Sequence, residues 1–288
     1  MTTDRMTPQK WAFQLTHILN AFASDQERFP VDVKTLAKEF SHHKYPDDPI
    51  TKIKGASLPR FDGGLFKAPG GRNEWGIIYN DSMRSIGRIN YTLAHEFGHY
   101  LLHRLDYPGG IECGEQDMVR WDSAYGQIEH EANVFAANLL MPLDDYRQQI
   151  DPKTIIDLDM VGHCADRYEV SLMAAILRWI EYTERRAVLV VSRDGFILWA
   201  RSSKAAFRSG IYFKTSNRPP IPIPHGALAS GLVTSRNQRQ GIKLPPNVWF
   251  EESCDEIVVF SELYDFTISV VQLENSAARY SKKEPYQV

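Results

Sequence analysis

Residues 95–99 read His95-Glu96-Phe97-Gly98-His99, and much of the expected fold and chemistry can be worked out from this pattern. On a helix, which turns by about 100° per residue, the two histidines lie about 40° apart and Glu96 lies about 60° from His99. Zinc is bound by neutral imidazole nitrogens, and side chains four residues apart are close enough for one cation to bridge them. The pattern therefore predicts a helix that presents His95 and His99 to a metal ion.

The neighbouring residues indicate a helix with one buried side. Leu93, Phe97 and Leu101 fall on the face opposite the histidines, where a core would lie. The alternative is an ordinary solvated polar face on an amphipathic helix, which binds no metal. The sequence predicts the helix over about 91–103, with His103 as a hydrogen-bonding residue near its end rather than as a further metal ligand.

A catalytic zinc ion needs a third protein ligand, and the next predicted helix, over about 127–140, contains Glu129, His130 and Glu131. Glu129 lies about 50° from the centre of the apolar face of this helix, Glu131 about 110° from it, and His130 points nearly opposite. A carboxylate turned toward an apolar face needs a partner. Glu129 is therefore the expected ligand, Glu131 is the fallback, and a solvated carboxylate is the alternative. Asn133 is expected either to orient a ligand by a hydrogen bond or to be an ordinary surface amide.

The two helical segments together resemble the ImmA/IrrE family of metallo-endopeptidases, and the similarity covers roughly residues 30–142. It rests on His95-Glu96-Phe97-Gly98-His99-Tyr100-Leu101-Leu102-His103 followed by Glu129-x-Glu131-Ala132-Asn133. The resemblance implies a zincin-like fold, one zinc ion per chain held by His95, His99 and Glu129, and regulated proteolysis of a DNA-binding repressor or similar regulator, as in stress-response regulation. Two imidazoles and a carboxylate can also hold iron, manganese or cobalt.

The mechanism expected of such a site uses Glu96 as a general base, which takes a proton from zinc-bound water and passes it to the leaving amine. A peptide substrate is expected to lie extended along a sheet edge and to pair with it through its backbone. The candidate for that edge is the strand containing Trp75, Ile77 and Tyr79, and the alternative is that this run is an interior strand.

The whole chain of 288 residues is long enough for about two domains at roughly 150 residues each. A mixed α+β fold is expected, because helical periodicity dominates the first part and strand-like runs dominate the last hundred residues. Residues 44–59 and 106–118 are expected to be loops, and residues 65–67 and 75–79 to form a hairpin or two edge strands. The expected divisions are a zincin-like metallopeptidase domain over 1–150, a helix-turn-helix-like segment over 151–186, a β-rich domain over 187–276 with a faint similarity to GAF domains, and a flexible tail over 277–288.

Two segments raise DNA binding as a rival function. Residues 161–172 have the layout of a helix-turn-helix, but the second helix begins with apolar residues instead of the polar side chains that contact bases. Residues 193–243 hold nine basic residues and one acidic residue, a local net charge of +8, and acidic residues follow. The rival is a DNA-binding transcriptional regulator with a structural or sensing metal. The preferred hypothesis is a zinc endopeptidase whose partner is a protein substrate, with direct nucleic-acid binding less favoured.

Composition excludes several classes of protein. Hydrophobic residues make up 43% and charged residues 24%, which excludes a wholly disordered chain, a collagen and a coiled coil. The net charge of −3 gives no general attraction to nucleic acid or to anionic membranes. Cys113, Cys164 and Cys254 form no C-x-x-C pair, so neither a disulfide framework nor a cysteine zinc site is indicated. With no long apolar run and no signal-peptide layout, the protein is expected to be soluble and cytoplasmic, without a membrane partner.

Overall fold

The fold belongs to the mixed α+β class, as the sequence predicts. The computed structural model describes residues 6–23, 28–59, 61–113, 124–215, 218–231, 239–261 and 265–274. Within these ranges the chain forms eight α helices and two sheets. No helix in this part of the chain is both long enough and apolar enough to cross a bilayer.

The chain divides into two compact units. One comprises Met1–Tyr146 and Cys164–Ser171, and the other comprises Arg147–His163 and Leu172–Val288. The predicted boundaries at residues 150, 186 and 276 stay predictions, and the predicted tail over 277–288 lies outside the described residues.

The first unit opens with helices α1 (Pro8–Phe22) and α2 (Val33–Lys44). Each begins at a side chain that caps its free backbone N–H groups, because Thr7 accepts from Lys10 and Asp32 accepts from Thr35. Strands β1 (Ile50–Ala56), β2 (Gly63–Lys67), β3 (Trp75–Asn80) and β4 (Gly110–Cys113) form one sheet. Its order is β1-β3-β2-β4, with β1 parallel to β3 and the other pairs antiparallel.

The loops predicted over residues 44–59 and 106–118 are wrong in part, because residues 50–56 and 110–113 form strands, and residues 114–118 lie outside the described residues. In β1, Thr51, Lys52 and Lys54 are exposed, and the pairing register shifts between Ile50 and Lys52. This irregularity breaks the two-residue alternation by which a strand is detected in a sequence. β4 is too short to show an alternation at all.

The prediction that Trp75, Ile77 and Tyr79 form a substrate-binding edge is also wrong. β3 pairs with β1 on one side and with β2 on the other, so its backbone groups are already engaged. Trp75 and Ile77 are buried. The alternative holds, and this run is an interior strand.

Helix α3 (Ile86–His103) starts earlier than the periodicity predicts, because Ser85 caps it by accepting the N–H of Arg88. It packs against β2, β3 and helix α4 (Ala124–Leu140). Gly98 allows a close approach of the two helices, since a Cβ there would lie 3.3 Å from Cα of Ala132 and 2.9 Å from Cδ1 of Phe135. Helix α5 (Leu143–Gln149) follows.

Residues 164–171 are joined to the rest of the first unit by polar contacts. Arg167 donates two hydrogen bonds to the carboxylate of Asp145, at 2.9 and 2.8 Å, and Tyr168 donates a third at 2.5 Å. The side-chain amide of Asn90 in α3 donates to the carbonyl of Glu169 at 3.3 Å. The first unit is therefore assembled from two separate stretches of the chain.

The second unit is built on an antiparallel sheet. Its helices are α7 (Leu172–Tyr182) and α8 (Lys204–Arg208), and helix α6 (Leu158–Tyr168) begins in this unit and ends in the first. Its strands are β5 (Arg186–Arg193), β6 (Phe196–Ser202), β7 (Ile221–Pro222), β8 (Ile242–Leu244), β9 (Cys254–Ser261) and β10 (Phe266–Leu273), in the order β7-β6-β5-β10-β9-β8. Val188, Val190, Val271 and Trp249 belong to the core on one face of this sheet.

Candidate metal centre

Helices α3 and α4 bring three side chains together at one point. His95 and His99 from α3 and Glu129 from α4 each offer a ligand atom, and these atoms all lie within 4.8 Å of one another. Nε2 of His95 and Nε2 of His99 are 2.9 Å apart. One carboxylate oxygen of Glu129 lies 3.2 Å from Nε2 of His95, and the other lies 3.2 Å from Nε2 of His99. The three predicted ligands thus face each other.

This group fits a zinc ion in spacing and in chemistry. Ligand atoms at 2.0–2.1 Å from a tetrahedral zinc ion lie about 3.3 Å from each other. The separations of 2.9 and 3.2 Å within the group are close to that value. Two imidazoles and one carboxylate form a donor set of catalytic zinc sites, with a fourth position left for water or substrate. All three side chains are buried, so the ion would be largely shielded from bulk solvent.

The charge states of His99 and Glu129 also suit a cation. Burial lowers the pKa of His99 to about 3, with the neighbouring His95 and His103 acting in the same direction. Burial raises the pKa of Glu129, but the hydrogen bonds from His95 and His99 outweigh it and hold that pKa well below its usual value. Burial lowers the pKa of His95, and the contacts with Glu129 and the charge of Glu96 outweigh it, so this pKa is raised. A neutral His99 and an ionised Glu129 are the forms that bind zinc.

Asn133 lies behind the first histidine. Its Oδ1 atom is 3.2 Å from Nδ1 of His95, and it also accepts a hydrogen bond of 3.2 Å from the hydroxyl of Tyr91. An amide oxygen only accepts, so Nδ1 of His95 is the nitrogen that carries the ring proton toward Asn133, and in the neutral, metal-binding form Nε2 offers its lone pair. Asn133 is in the position that the sequence predicts for an orienting residue. Tyr91 is missed by the sequence reasoning, although it precedes His95 by one helical turn.

His103 and Glu131 lie behind the second histidine. Nδ1 of His103 is 3.0 Å from Nδ1 of His99, and its Nε2 is 3.1 Å from a carboxylate oxygen of Glu131. Glu131, the fallback ligand, is thus outside the three-residue group, and His103 forms hydrogen bonds from the end of α3.

The comparison with family models gives an independent finding. Residues 52–179 match the peptidase M78 family model, described as an IrrE N-terminal-like domain. This part of the chain belongs to the ImmA/IrrE family of metallopeptidases. The resemblance predicted from sequence is confirmed, and residues 52–179 are called the ImmA/IrrE domain below. A comparison of the chain with curated proteins finds no match.

The ImmA/IrrE domain holds Glu96 against the backbone of β2. Glu96 is fully buried. A Cβ placed on Gly63 would lie 3.0 Å from Oε1 of Glu96 and 2.5 Å from Cγ2 of Thr92, so only glycine leaves room for the carboxylate. Gly63 is missed by the sequence reasoning, which treats the Gly63-Gly64 pair as punctuation between elements. Glu96 lies beside the three-residue group without being a member of it.

Proposed function

We propose that this protein is a zinc-dependent endopeptidase that cuts a peptide bond in a regulatory protein, a repressor or an antitoxin-like transcription factor. The observation that carries the proposal is the buried group of His95, His99 and Glu129 inside an ImmA/IrrE domain, with Glu96 on the same helix as the histidines. A zincin-like arrangement of α3, α4 and the first sheet is part of the proposal.

The side chains divide the work between holding the ion and moving a proton. His95, His99 and Glu129 hold one zinc ion per chain. When bound, zinc supplies a Lewis acid that polarises the scissile carbonyl and lowers the pKa of water. Glu96 accepts a proton from the attacking water and delivers it to the leaving amine. Its burial against Gly63 holds the carboxylate in one place.

The substrate is proposed to lie along β4, since β3 is an interior strand. β4 pairs with β2 on one side, and among the described residues no strand pairs with its other side. An extended peptide can add to such an edge through backbone hydrogen bonds. β2, which places Gly63 against Glu96, is the strand between β4 and β3. This arrangement favours a substrate of extended, locally unfolded chain.

Direct DNA binding is the weaker hypothesis. Ala175 and Ile176, in the first turns of α7, are buried and cannot contact bases. Three of the basic residues in the stretch over 193–243 form ion pairs within the second unit. These pairs are Arg193 with Asp265, Arg239 with Asp159 and Lys243 with Glu274. The second unit is proposed to recruit the protein substrate or to control the peptidase, and a cytoplasmic location stays a prediction.

The deciding experiment compares wild type with Glu96→Gln, expressed at equal level in the same cells, by mass spectrometry of protein N-termini. We expect new N-termini inside a DNA-binding regulator with wild type and none with Glu96→Gln, while both proteins bind one zinc ion. Glu39→Gln is the matched control, because it makes the same chemical change at an exposed position of α2. If zinc-loaded wild type and Glu96→Gln give the same N-termini under every condition, the protein is not a peptidase.

A further inference from the structure

We infer that His103 and Glu131 are positioning residues of the metal centre, which form a hydrogen-bonded chain that fixes the ring of His99. The inference rests on the proposed function, since it extends the three-ligand site outward along the side of α3 that faces α4. Glu131 then orients a metal ligand instead of being one, and His103 does more than form a hydrogen bond at the end of α3.

The chain of contacts is continuous from His99 to the surface. Nδ1 of His99 lies 3.0 Å from Nδ1 of His103, and Nε2 of His103 lies 3.1 Å from Oε2 of Glu131. The other oxygen of Glu131 accepts a hydrogen bond of 3.2 Å from the side-chain amide of Gln127. The side chains of His99 and His103 are 0% and 1% exposed, and that of Glu131 is 29% exposed. The carboxylate therefore forms the partly solvated end of an otherwise buried chain.

The directions of the hydrogen bonds follow from one requirement. A metal ion needs the lone pair of Nε2 of His99, so the ring proton of His99 must lie on Nδ1. That proton is donated to Nδ1 of His103, which then keeps its own proton on Nε2. A carboxylate only accepts, and Glu131 accepts this second proton. The arrangement therefore selects the single tautomer of His99 that can bind the ion.

Loss of this chain removes the hydrogen bond that holds Nδ1 of the buried His99 ring. If Nδ1 has no acceptor, a ring flip or a proton shift to Nε2 becomes accessible, and either removes the lone pair from the metal position. A carboxylate at the end of such a chain strengthens the hydrogen bonds and makes the imidazole a better electron donor. His95 is held differently, because its acceptor is the neutral amide oxygen of Asn133.

The test measures the zinc dissociation constant by competition with a chelating dye, and the absorption spectrum of the cobalt-substituted protein. His103→Leu removes the acceptor while filling the buried space, and we expect zinc binding to weaken about 10- to 100-fold. His103→Asn places an amide oxygen near the position of Nδ1, and most of the affinity and the wild-type cobalt spectrum should return. Glu131→Gln, at the surface end of the chain, should weaken binding in the same direction but less. His43→Leu, at an exposed position of α2, is the control and should bind as wild type does.

Thermal unfolding of the metal-free variants checks that each is folded. If His103→Leu does not fold, Glu131→Gln still tests the inference, because it changes the partly exposed end of the same chain of hydrogen bonds. Equal dissociation constants for wild type, His103→Leu and Glu131→Gln would overturn the inference. A His103→Asn protein that binds zinc as weakly as His103→Leu would also overturn it. Zinc affinity would then depend on the shape of the side chain at position 103 and not on a hydrogen-bond acceptor for Nδ1 of His99. A wild type that binds zinc tightly but cleaves nothing contradicts the proposed function alone. A wild type that binds no zinc overturns both.

Discussion

Gly63→Ala is expected to inactivate the peptidase without touching a metal ligand. The new Cβ would stand 2.5 Å from Cγ2 of Thr92 and 3.0 Å from Oε1 of Glu96. Both neighbours are on α3, and both are buried. The extra methyl group thus forces β2 and the helix apart, or forces Glu96 into another rotamer.

The size of the effect follows from these distances. Carbon atoms in contact prefer a separation of about 3.5–4.0 Å, so relief of the contact with Thr92 needs a displacement of about 1 Å. A misplacement of about 1 Å in a catalytic group can reduce the rate about 100-fold. Overpacking of this kind destabilises a folded protein by about 1–3 kcal/mol. We therefore expect kcat/KM to fall about 100-fold and the free energy of unfolding to fall by about 2 kcal/mol.

Three measurements check this prediction. Urea unfolding gives the free energy of unfolding, dye competition gives the zinc affinity, and cleavage of the substrate found by the Glu96→Gln comparison gives kcat/KM. Zinc affinity should be nearly unchanged, because the new methyl group meets Thr92 and Glu96 and none of the three ligands. Adding Thr92→Ser to Gly63→Ala deletes the Cγ2 methyl, and this double variant should recover most of the lost stability.

Gly76→Ala in β3 is the matched control, since the nearest atom to its new Cβ is the carbonyl oxygen of Lys52 at an ordinary 3.5 Å. It should behave as wild type does. The reasoning is wrong if Gly63→Ala keeps wild-type stability and activity, or if Thr92→Ser restores neither.

Four other substitutions test different parts of the first unit. Glu129→Ala should lose the zinc ion while Glu131→Ala retains about one per chain at saturating zinc, as measured by elemental mass spectrometry. Gly98→Ala should push α4 away from α3 through its contacts with Phe135 and Ala132 and weaken zinc binding about 10-fold, as measured by dye competition. Asp145→Asn should lower the free energy of unfolding at pH 7 by about 3 kcal/mol, because it breaks the partly buried pair with Arg167. Burial raises the pKa of Asp145, but the hydrogen bonds from Arg167 outweigh it and lower that pKa. The pair's contribution is therefore present above about pH 4 and lost as the pH falls through the folded-state pKa, so wild type and variant should converge in acid urea titrations.

The metal centre could be largely predicted because it is built from local periodicity. His95, Glu96 and His99 are fixed relative to each other by one helix, and the apolar side of α4 distinguishes Glu129 from His130. The orienting amide of Asn133 follows from the same helix geometry. These positions depend on residues within one or two turns, which a single sequence contains.

The features that the sequence does not predict depend on contacts between residues that are distant in the sequence. The register shift in β1 hides its alternation, and the interior position of β3 depends on which strands pair with it. Gly63 acts through its proximity to Glu96, which lies 33 residues further along the chain. Periodicity gives no information on such pairings, so it does not distinguish an edge strand from an interior one.

The discontinuity of the first unit sets a lower limit on the size of an autonomous peptidase. Residues 164–171 supply Arg167 to Asp145 and the carbonyl of Glu169 to Asn90, yet the chain leaves the first unit after Tyr146 and returns to it only at Cys164. A truncated protein ending at residue 150 would lack these partners. After a cut between residues 147 and 163, residues 164–171 would remain attached to the rest of the first unit through noncovalent contacts alone. During synthesis the first unit remains incomplete until residue 171 has been made, so Asp145 and Asn90 find these partners only after residues 147–163 of the second unit have been made.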